Sequence, residues 1–290
     1  MLLREALREG LNTLTRDGIP SSQLAAELLL MHTLKLTRGE LHAHPERELP
    51  PEITECYFRL IAERLTGKPT QYITGHQEFW GLDVEVTPDV LIPRPETELV
   101  VETVLNLARS CGGGRTVPQQ IVDVGTGSGC IALALLSELP RAEVYAMDIS
   151  LAALKVAIKN TQRLGLAERV HFLQADLLSC FLSRGATGSF DFIVSNPPYV
   201  ALDELDMVQR EVKEFEPRLA WGGLEKGDEI YRRLFPQAQQ LLKPGGYVVV
   251  EIGYKMRDAV AGLLRPGWKD VEARPDLSGI PRVVVARKEV

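Results

Sequence analysis

Short apolar runs alternate with helical patterns from about residue 99 to the end of the chain, and this alternation constrains the fold more than any other feature. Strands are expected at residues 120–124, 143–147, 170–174, 190–194, 246–251, 271–274 and 283–286. Helices are expected between most of them, notably at residues 129–139, 151–164 and 229–242. Repeated βα units of this length predict a mostly parallel sheet with helices on both faces. Only a loop joins the last two strands, which predicts an antiparallel pair at one edge.

The first 70 or so residues follow a helical pattern instead. Apolar residues recur at helical spacing in three stretches, residues 3–14, 24–34 and 53–65. Thr37 and Glu40 fit a capping box for a further short helix. We therefore expect a small helical bundle at residues 1–74, with no visible chemistry of its own.

A linker is expected between the bundle and the α/β region. Leu82, Val84 and Val86 alternate after a turn at Gly81, which predicts a β-hairpin. Two prolines then stiffen the backbone just before a helix that starts near Glu96. The expected division is a bundle at 1–74, a hairpin linker at 75–98 and an α/β domain at 99–290, with Gly112 to Gly114 as a flexible link.

Composition excludes several classes of function. The longest apolar runs fall short of the roughly 18 residues that a membrane helix needs, and the charged amino terminus is not a secretory signal, so a cytoplasmic location is expected. The four cysteines are widely spaced, which argues against a zinc site or a disulfide framework. The net charge of −6 argues against binding to nucleic acid, since such proteins usually present a basic face.

A glycine turn follows the first expected strand of the α/β region. The turn consists of Gly125, Thr126, Gly127, Ser128 and Gly129. Glycines at alternate positions let the backbone turn sharply and come close to a ligand. Asp148 follows the next expected strand, where a carboxylate can accept both hydrogen bonds from a ribose diol.

The spacing of the glycines indicates which nucleoside is bound. The pattern G-x-G-x-G differs from the G-x-G-x-x-G turn that cradles a pyrophosphate, and the P-loop pattern of nucleotide hydrolases is absent from the sequence. A nucleoside without phosphate fits better, and S-adenosylmethionine is the common one. At the end of the third strand, Asp176 is expected to contact the adenine amino group or to cap a helix, and Leu177 is expected to cover the adenine ring.

The stretch Ser195-Asn196-Pro197-Pro198-Tyr199 ends the fourth expected strand. Proline cannot donate to a sheet ladder, so one interpretation is that the prolines only stop the strand. The other is that they hold Asn196 and the Pro197 carbonyl as two acceptors for the N–H groups of a planar nitrogen. Tyr199 is expected to stack on that flat group.

The motif resembles that of S-adenosylmethionine-dependent methyltransferases acting on planar amino or amide nitrogens. The flanking segments, residues 67–75 and 91–98, resemble the bacterial release factor glutamine methyltransferases, and the resemblance covers nearly the whole chain. It departs from the family pattern at Leu177, where an aromatic residue is frequent, and at residues 224–227, where Asp-Gly is usual.

The resemblance implies a Rossmann-like methyltransferase domain behind a helical domain that recognises the release factor. It implies transfer of a methyl group from S-adenosylmethionine, leaving S-adenosylhomocysteine, to the side-chain nitrogen of the glutamine in the Gly-Gly-Gln motif of class 1 release factors. The cofactor residues would be Gly125 to Gly129, Asp148, the position after Asp176, and Asn196, while Asn196 to Tyr199 would hold the glutamine, with no metal. A monomer is expected.

Three alternatives remain at this point. A methyltransferase for a glutamine of a ribosomal protein shares these motifs. An adenine methyltransferase for nucleic acid shares the glycine turn and the Asn-Pro-Pro-Tyr motif, but a basic face or target-recognition insert is missing from the sequence. A silent module that only docks on release factors would not need a nitrogen clamp.

Overall fold

The computed structural model describes residues 1–110, 117–264 and 266–290, so the expected link at Gly112 to Gly114 lies outside the described residues. The chain forms two compact units. One comprises Met1–His76 and Gln209–Phe215, and the other comprises Gln77–Val208 and Glu216–Val290. Residues 209–215, which lie within the expected α/β domain in sequence, thus belong to the helical unit.

The helical unit is built from six helices. They are α1 (Leu3–Arg16), α2 (Ser22–Leu34), α3 (Arg38–Ala43), α4 (Pro51–Leu65), α5 (Thr70–Thr74) and α10 (Arg210–Phe215). The capping box forms as expected, since Thr37 Oγ1 accepts from the Glu40 backbone N–H at 3.3 Å and the Glu40 carboxylate accepts from the Thr37 N–H at 2.8 Å. The core of the unit is aliphatic apart from Tyr57, which is fully buried.

Helix α10 is held in this unit by a buried cation. The Arg64 side chain is 3% exposed and donates to Glu211 of α10 and to the Lys68 carbonyl. Phe215 lies close to the position that a side chain on Gly67 would take. A buried guanidinium needs a carboxylate partner, and α10 supplies it.

The second unit is an α/β domain. Its strands are β1 (His76–Phe79, the first residue of which closes the helical unit), β2 (Leu82–Glu85), β3 (Gln120–Val124), β4 (Glu143–Asp148), β5 (Val170–Gln174), β6 (Phe190–Ser195), β7 (Val200–Ala201), β8 (Gly222–Leu224), β9 (Leu242–Glu251), β10 (Trp268–Pro275) and β11 (Pro281–Lys288). Its α-helices are α6 (Glu98–Ser110), α7 (Cys130–Glu138), α8 (Leu151–Arg163), α9 (Ser179–Leu182), α11 (Arg218–Trp221), α12 (Glu229–Leu241) and α13 (Arg257–Gly262).

Seven strands form the main sheet, in the order β10-β11-β9-β6-β3-β4-β5. The pairs from β9 to β5 are parallel, whereas β11 pairs antiparallel with both β9 and β10. The mostly parallel sheet and its antiparallel edge are therefore confirmed. Separate apolar clusters cover its two faces, as expected for strands that are buried on both sides.

Strand β9 begins four residues earlier than expected. Leu242 pairs with Phe190, and the register then shifts before Tyr247 pairs with Phe192. Gly245 lies inside this irregular stretch with φ at +80°, a conformation that glycine adopts without strain. The Pro-Gly-Gly sequence therefore makes a bulge within the strand.

Strands β1 and β2 form the expected hairpin. Trp80 and Gly81 both have positive φ, +54° and +71°, as in the two-residue turns that match the twist of paired strands. Among the described residues, no helix combines the length and apolar character needed to cross a bilayer.

Candidate functional site

A cavity of about 290 Å³ opens at the carboxyl ends of β3, β4 and β6. The chain runs from β3 to β4 on one side and returns to β6 on the other, so the order reverses beside β3. Ligands of open parallel sheets bind at such a reversal. Residues 125–128 of the glycine turn, the residues after β4 and the residues after β6 line this cavity.

The glycine turn presents bare backbone to the cavity. Gly125 and Gly127 have φ of +73° and +55°, and a Cβ on Gly125 would have no heavy atom within 4 Å. A side chain there would project into the open space where a ligand fits. The turn is held from behind, because the N–H groups of Gly125 and Thr126 both donate to the Met147 carbonyl at 2.8 Å.

The third glycine has a different task. Gly129 precedes α7 with φ at +85°, and a Cβ there would lie 3.3 Å from Cβ of Ala157 in α8. It is not among the residues that line the cavity. Gly129 therefore allows close packing of helices and lies outside the described lining of the cavity.

Asn160 ties the turn to the hairpin. Its Nδ2 donates to the Ser128 carbonyl at 3.0 Å and to the Glu85 carbonyl at 2.9 Å, and its Oδ1 accepts from the Glu85 N–H at 2.7 Å. The side chain is fully buried. Sequence reasoning missed this residue because an asparagine within a helical pattern gives no signal of three partners.

Asp148 stands at the end of β4, beside the glycine turn. Its Oδ2 accepts from the Gly127 N–H at 3.0 Å, and its Oδ1 accepts from the Ser150 N–H at 2.9 Å. Burial raises the pKa of this carboxyl, and the backbone N–H groups oppose that rise. Each oxygen keeps a further lone pair, so the carboxylate can accept from a diol.

Asp176 and Leu177 both line the cavity, after β5. The Asp176 carboxylate is half exposed and pairs with Arg233 of α12, which also lines the cavity. Its side chain does not cap α9, because the N-cap residue of that helix is Leu178. Leu177 has a φ of +49°, an unusual conformation for a residue other than glycine.

The structure brings Asn196, Pro197 and Pro198 to the cavity but directs Tyr199 elsewhere. Tyr199 is absent from the described lining of the cavity, and its ring packs against Gly253, where a Cβ would lie 2.8 Å from a ring carbon. Burial raises its pKa, as does Glu251 nearby. The expected stacking surface of Tyr199 is thus turned into the domain.

A buried polar chain lies behind Asn196. Its Nδ2 donates to Thr97 Oγ1 at 3.0 Å, and Thr97 Oγ1 donates to Glu251 Oε2 at 2.6 Å. Tyr199 Oη donates to the other oxygen, Glu251 Oε1, at 3.2 Å. Burial is the main cause that raises the Glu251 pKa to about 7. The sequence contains Thr97 in a notable segment, but nothing in it connects Thr97 to Glu251, 154 positions away.

A second buried carboxylate, that of Glu216, holds residues 91–94, part of the segment that lines the cavity. The Glu216 side chain, 1% exposed, accepts from Arg94 and from the Ile92 N–H, the latter at 3.2 Å. Arg94 itself lines the cavity. The ion pair therefore fixes the segment that precedes α6.

Asp123, at the end of β3, is fully buried beneath the turn. Burial raises its pKa to about 7; hydrogen bonds from Thr126 and from the backbone of Ala132 oppose the rise, and the charge of Asp148 adds to it. Thr126 Oγ1 donates to Asp123 Oδ2 at 2.7 Å, while Oδ1 has no hydrogen-bond partner.

The donors and acceptors of the cavity fit a nucleoside that carries no phosphate. Bare glycine backbone meets the ligand on one side, and a carboxylate suited to a diol and the apolar Leu177 lie on the other. No lysine or arginine lies in the turn itself. Within the described ranges, no cluster of three or more His, Cys, Asp or Glu side chains could hold a metal ion.

Comparison with known proteins places both units. Residues 5–75 match the family described as the PrmC N-terminal domain, and residues 113–225 match the methyltransferase small domain. The chain is 50% identical to the release factor glutamine methyltransferase of Koribacter versatilis (strain Ellin345), across 99% of each chain. It is 44% identical to that of Moorella thermoacetica, across 99% of this chain and 98% of the relative.

The fold is also found among solved structures. A methyltransferase from Pyrococcus furiosus superposes with a TM-score of 0.51 at 20% identity, covering 72% of this chain and 90% of that one. At this identity the likeness concerns the fold alone.

Proposed function

The chain belongs to the family of release factor glutamine methyltransferases, and on that premise we propose that the cavity at the ends of β3, β4 and β6 is where the methyl group is transferred. The protein is an enzyme that methylates a release factor glutamine, with S-adenosylmethionine as the methyl donor. The single observation that carries the proposed site is the meeting of the glycine turn, Asp148 and Asn196 around one cavity.

This geometry supports the proposed cofactor residues. Gly125 and Gly127 leave room for the ligand, Asp148 accepts from the ribose hydroxyls, and Leu177 covers the adenine ring. S-adenosylmethionine, when bound, supplies a methyl group on a positively charged sulfur. Thr126 and Ser128 shape the turn, and Gly129 acts through helix packing.

The substrate glutamine is held by the residues after β6. An amide nitrogen is a poor nucleophile, because its lone pair is delocalised into the carbonyl. Asn196 Oδ1 and the Pro197 carbonyl accept its two N–H groups, fix its direction and favour the positive charge that develops on it. Pro198 has no N–H to compete for these acceptors. Neither acceptor is a general base, so proton loss follows the transfer.

Tyr199 serves this site indirectly. Its hydroxyl is bonded to Glu251 and its ring is packed within the domain, so its contribution is to hold the backbone of the motif. Asp176 is paired with Arg233 at the rim of the cavity, where its backbone is placed for the adenine amino group.

The proposed partner is a class 1 release factor. The substrate is the Gly-Gly-Gln loop of class 1 release factors, the modified atom is the side-chain amide nitrogen, and the helical unit recognises the factor. The enzyme acts in the cytoplasm and without nucleic acid, in keeping with the net charge of −6. We expect it to act as a monomer.

Replacement of Asn196 tests the assigned role. Asn196→Ala should abolish methyl transfer to a purified release factor and leave S-adenosylmethionine binding, measured by calorimetry, largely in place. Near-normal turnover in this variant would refute the role of Asn196. Loss of cofactor binding together with turnover would place Asn196 in the cofactor site only.

A further inference from the structure

The side chain of Asn196 has a buried support that reaches the end of β9. Thr97 and Glu251 are each 2% exposed, and together they form a chain of two hydrogen bonds that ends on Asn196 Nδ2. Neither residue donates or accepts at the positions assigned above to cofactor or substrate. Their side-chain polar atoms are instead used on one another, on Asn196 and on Tyr199.

The available protons determine which group donates and which accepts in these two hydrogen bonds. An ionised carboxylate has no proton, so Glu251 can only accept. The single hydroxyl group of Thr97 donates its hydrogen bond to Glu251, with Oγ1 2.6 Å from Oε2. Thr97 Oγ1 then has only lone pairs to offer toward Asn196. The amide of Asn196 must therefore turn its NH2 group to Thr97, at 3.0 Å, and its oxygen away from Thr97.

We infer that Thr97 and Glu251 are positioning residues that orient the Asn196 amide, so that its oxygen and not its nitrogen is available to the substrate N–H. This inference rests on the proposed role of Asn196 as an acceptor. With the amide reversed, an N–H group would face the N–H of the glutamine and the clamp would repel its substrate. Thr97 and Glu251 thus determine which end of the Asn196 amide faces the substrate, as well as where the side chain lies.

Tyr199 strengthens the arrangement from the other side of Glu251. Its hydroxyl donates to Oε1 at 3.2 Å while Thr97 donates to Oε2, so each carboxylate oxygen accepts a hydrogen bond from a hydroxyl group. A glutamine at position 251 could not replace the carboxylate, because its NH2 group would need an acceptor where one of these hydroxyls now donates. If that hydroxyl is Thr97, its proton becomes free to bind the Asn196 oxygen, and the amide turns over.

Titration of Glu251 therefore affects the clamp. The ionisable groups around its carboxyl are Tyr199, whose hydroxyl bonds to it, Tyr231, whose hydroxyl bonds to its backbone carbonyl, and the more distant Cys130, Glu96 and Arg282. Burial, with a smaller effect of Glu96, raises the Glu251 pKa to about 7, against the hydrogen bonds and Arg282. Ionised Glu251 becomes the dominant form as pH rises through 7, so orientation of Asn196 is enforced above that pH.

A matched pair of variants at position 97 tests the inference. Thr97→Val keeps the branched shape but removes the hydroxyl, and Thr97→Ser keeps the hydroxyl. We expect Thr97→Val to lower kcat by about tenfold or more, the effect of one lost orienting hydrogen bond, with the dissociation constant for S-adenosylmethionine changed less than about twofold. Thr97→Ser should restore most of the turnover. Near-normal kcat in Thr97→Val, or equal losses in both variants, would overturn the inference.

A second variant keeps the test valid if Thr97→Val folds poorly. We expect kcat of the wild-type protein to rise between pH 6 and 8, about one pH unit on either side of the Glu251 pKa. Glu251→Gln should lower kcat by a similar factor and remove this rise. An unchanged kcat with an unchanged pH profile would overturn the inference.

Asn196→Ala in the same assay separates this inference from the proposed function. If Asn196→Ala is inactive while Thr97→Val and Glu251→Gln are active, only the positioning role fails. If Asn196→Ala itself is active, the clamp fails and the positioning role fails with it.

Discussion

Replacement of Asp123 by asparagine should change how the stability of the protein depends on pH. The carboxyl is fully buried under the glycine turn, and its pKa is raised from 3.8 to about 7, chiefly by burial. Between these two values the unfolded chain ionises the group while the folded protein keeps it protonated. Stability is therefore lost as pH rises, until the folded form also ionises near pH 7.

The magnitude follows from the size of the shift. A difference of about 3 units corresponds to about 4 kcal/mol at roughly 1.4 kcal/mol per unit, which is an upper bound. Stability is already lost over about 1.2 pH units between 3.8, the pKa of the unfolded chain, and pH 5. The loss of stability that remains between pH 5 and pH 8 is therefore roughly 2.5 kcal/mol. Asparagine does not titrate but can still accept the hydrogen bond from Thr126 with its side-chain oxygen.

Urea unfolding at pH 5 and at pH 8 measures the effect directly. The free energy of unfolding of the wild-type protein should fall from pH 5 to pH 8 by up to about 2.5 kcal/mol more than that of Asp123→Asn. Other buried groups, including Glu251, titrate in both proteins and largely cancel in the comparison. An equal change with pH in the two proteins would show that Asp123 keeps an ordinary pKa in the fold, and would refute the reasoning.

Three further variants test the packing around the site. Gly127→Ala should weaken S-adenosylmethionine binding by about tenfold or more in calorimetry, because the added methyl group would occupy ligand space. Unchanged affinity would contradict this. Asn160→Leu should lower the free energy of unfolding by about 3 kcal/mol because three buried or partly buried backbone groups lose their partner. A loss below about 1 kcal/mol would count against it. Glu216→Gln should cost about 3 kcal/mol in urea unfolding by leaving Arg94 without its buried carboxylate, whereas the exposed control Glu214→Gln should unfold like the wild-type protein.

The parallel strands were predictable from sequence because burial on both faces leaves an uninterrupted apolar run. Strands β3 and β5 begin and end at the predicted residues, and β4 and β6 each extend one residue further. The early start of β9 was not predictable, because Pro-Gly-Gly also fits a turn outside a strand and only pairing with β6 shows the bulge.

Helix α2 shows a limit of pattern reading. The expected stripe includes Leu24, which is 47% exposed, whereas the buried face consists of Ala25, Ala26, Leu29 and Leu30 together with the buried Glu27. The apolar residues of this helix are spread around its axis, so periodicity alone identifies no single buried face. Packing against the neighbouring helices then determines which face of α2 is buried.

In the site, the ligand-facing residues were more accessible to sequence reasoning than their supports. The glycine turn, Asp148 and Asn196 follow strand ends, and the sheet brings strand ends together. Thr97, Glu216 and Glu251 act through hydrogen bonds across more than a hundred positions of sequence, for which local patterns carry no signal. The direction of Tyr199 depended on the space that Gly253 leaves.

The central claim is that the protein methylates one glutamine nitrogen of a release factor, and that the transfer takes place in this cavity. The protein should be incubated with isotopically labelled S-adenosylmethionine and a purified class 1 release factor, and the modified residue mapped by mass spectrometry, with Asn196→Ala as the control. We expect one label per factor, on the side-chain nitrogen of the glutamine in the Gly-Gly-Gln motif, and none with the variant. Label on any other residue of the factor, or an equal yield with Asn196→Ala, would contradict the account.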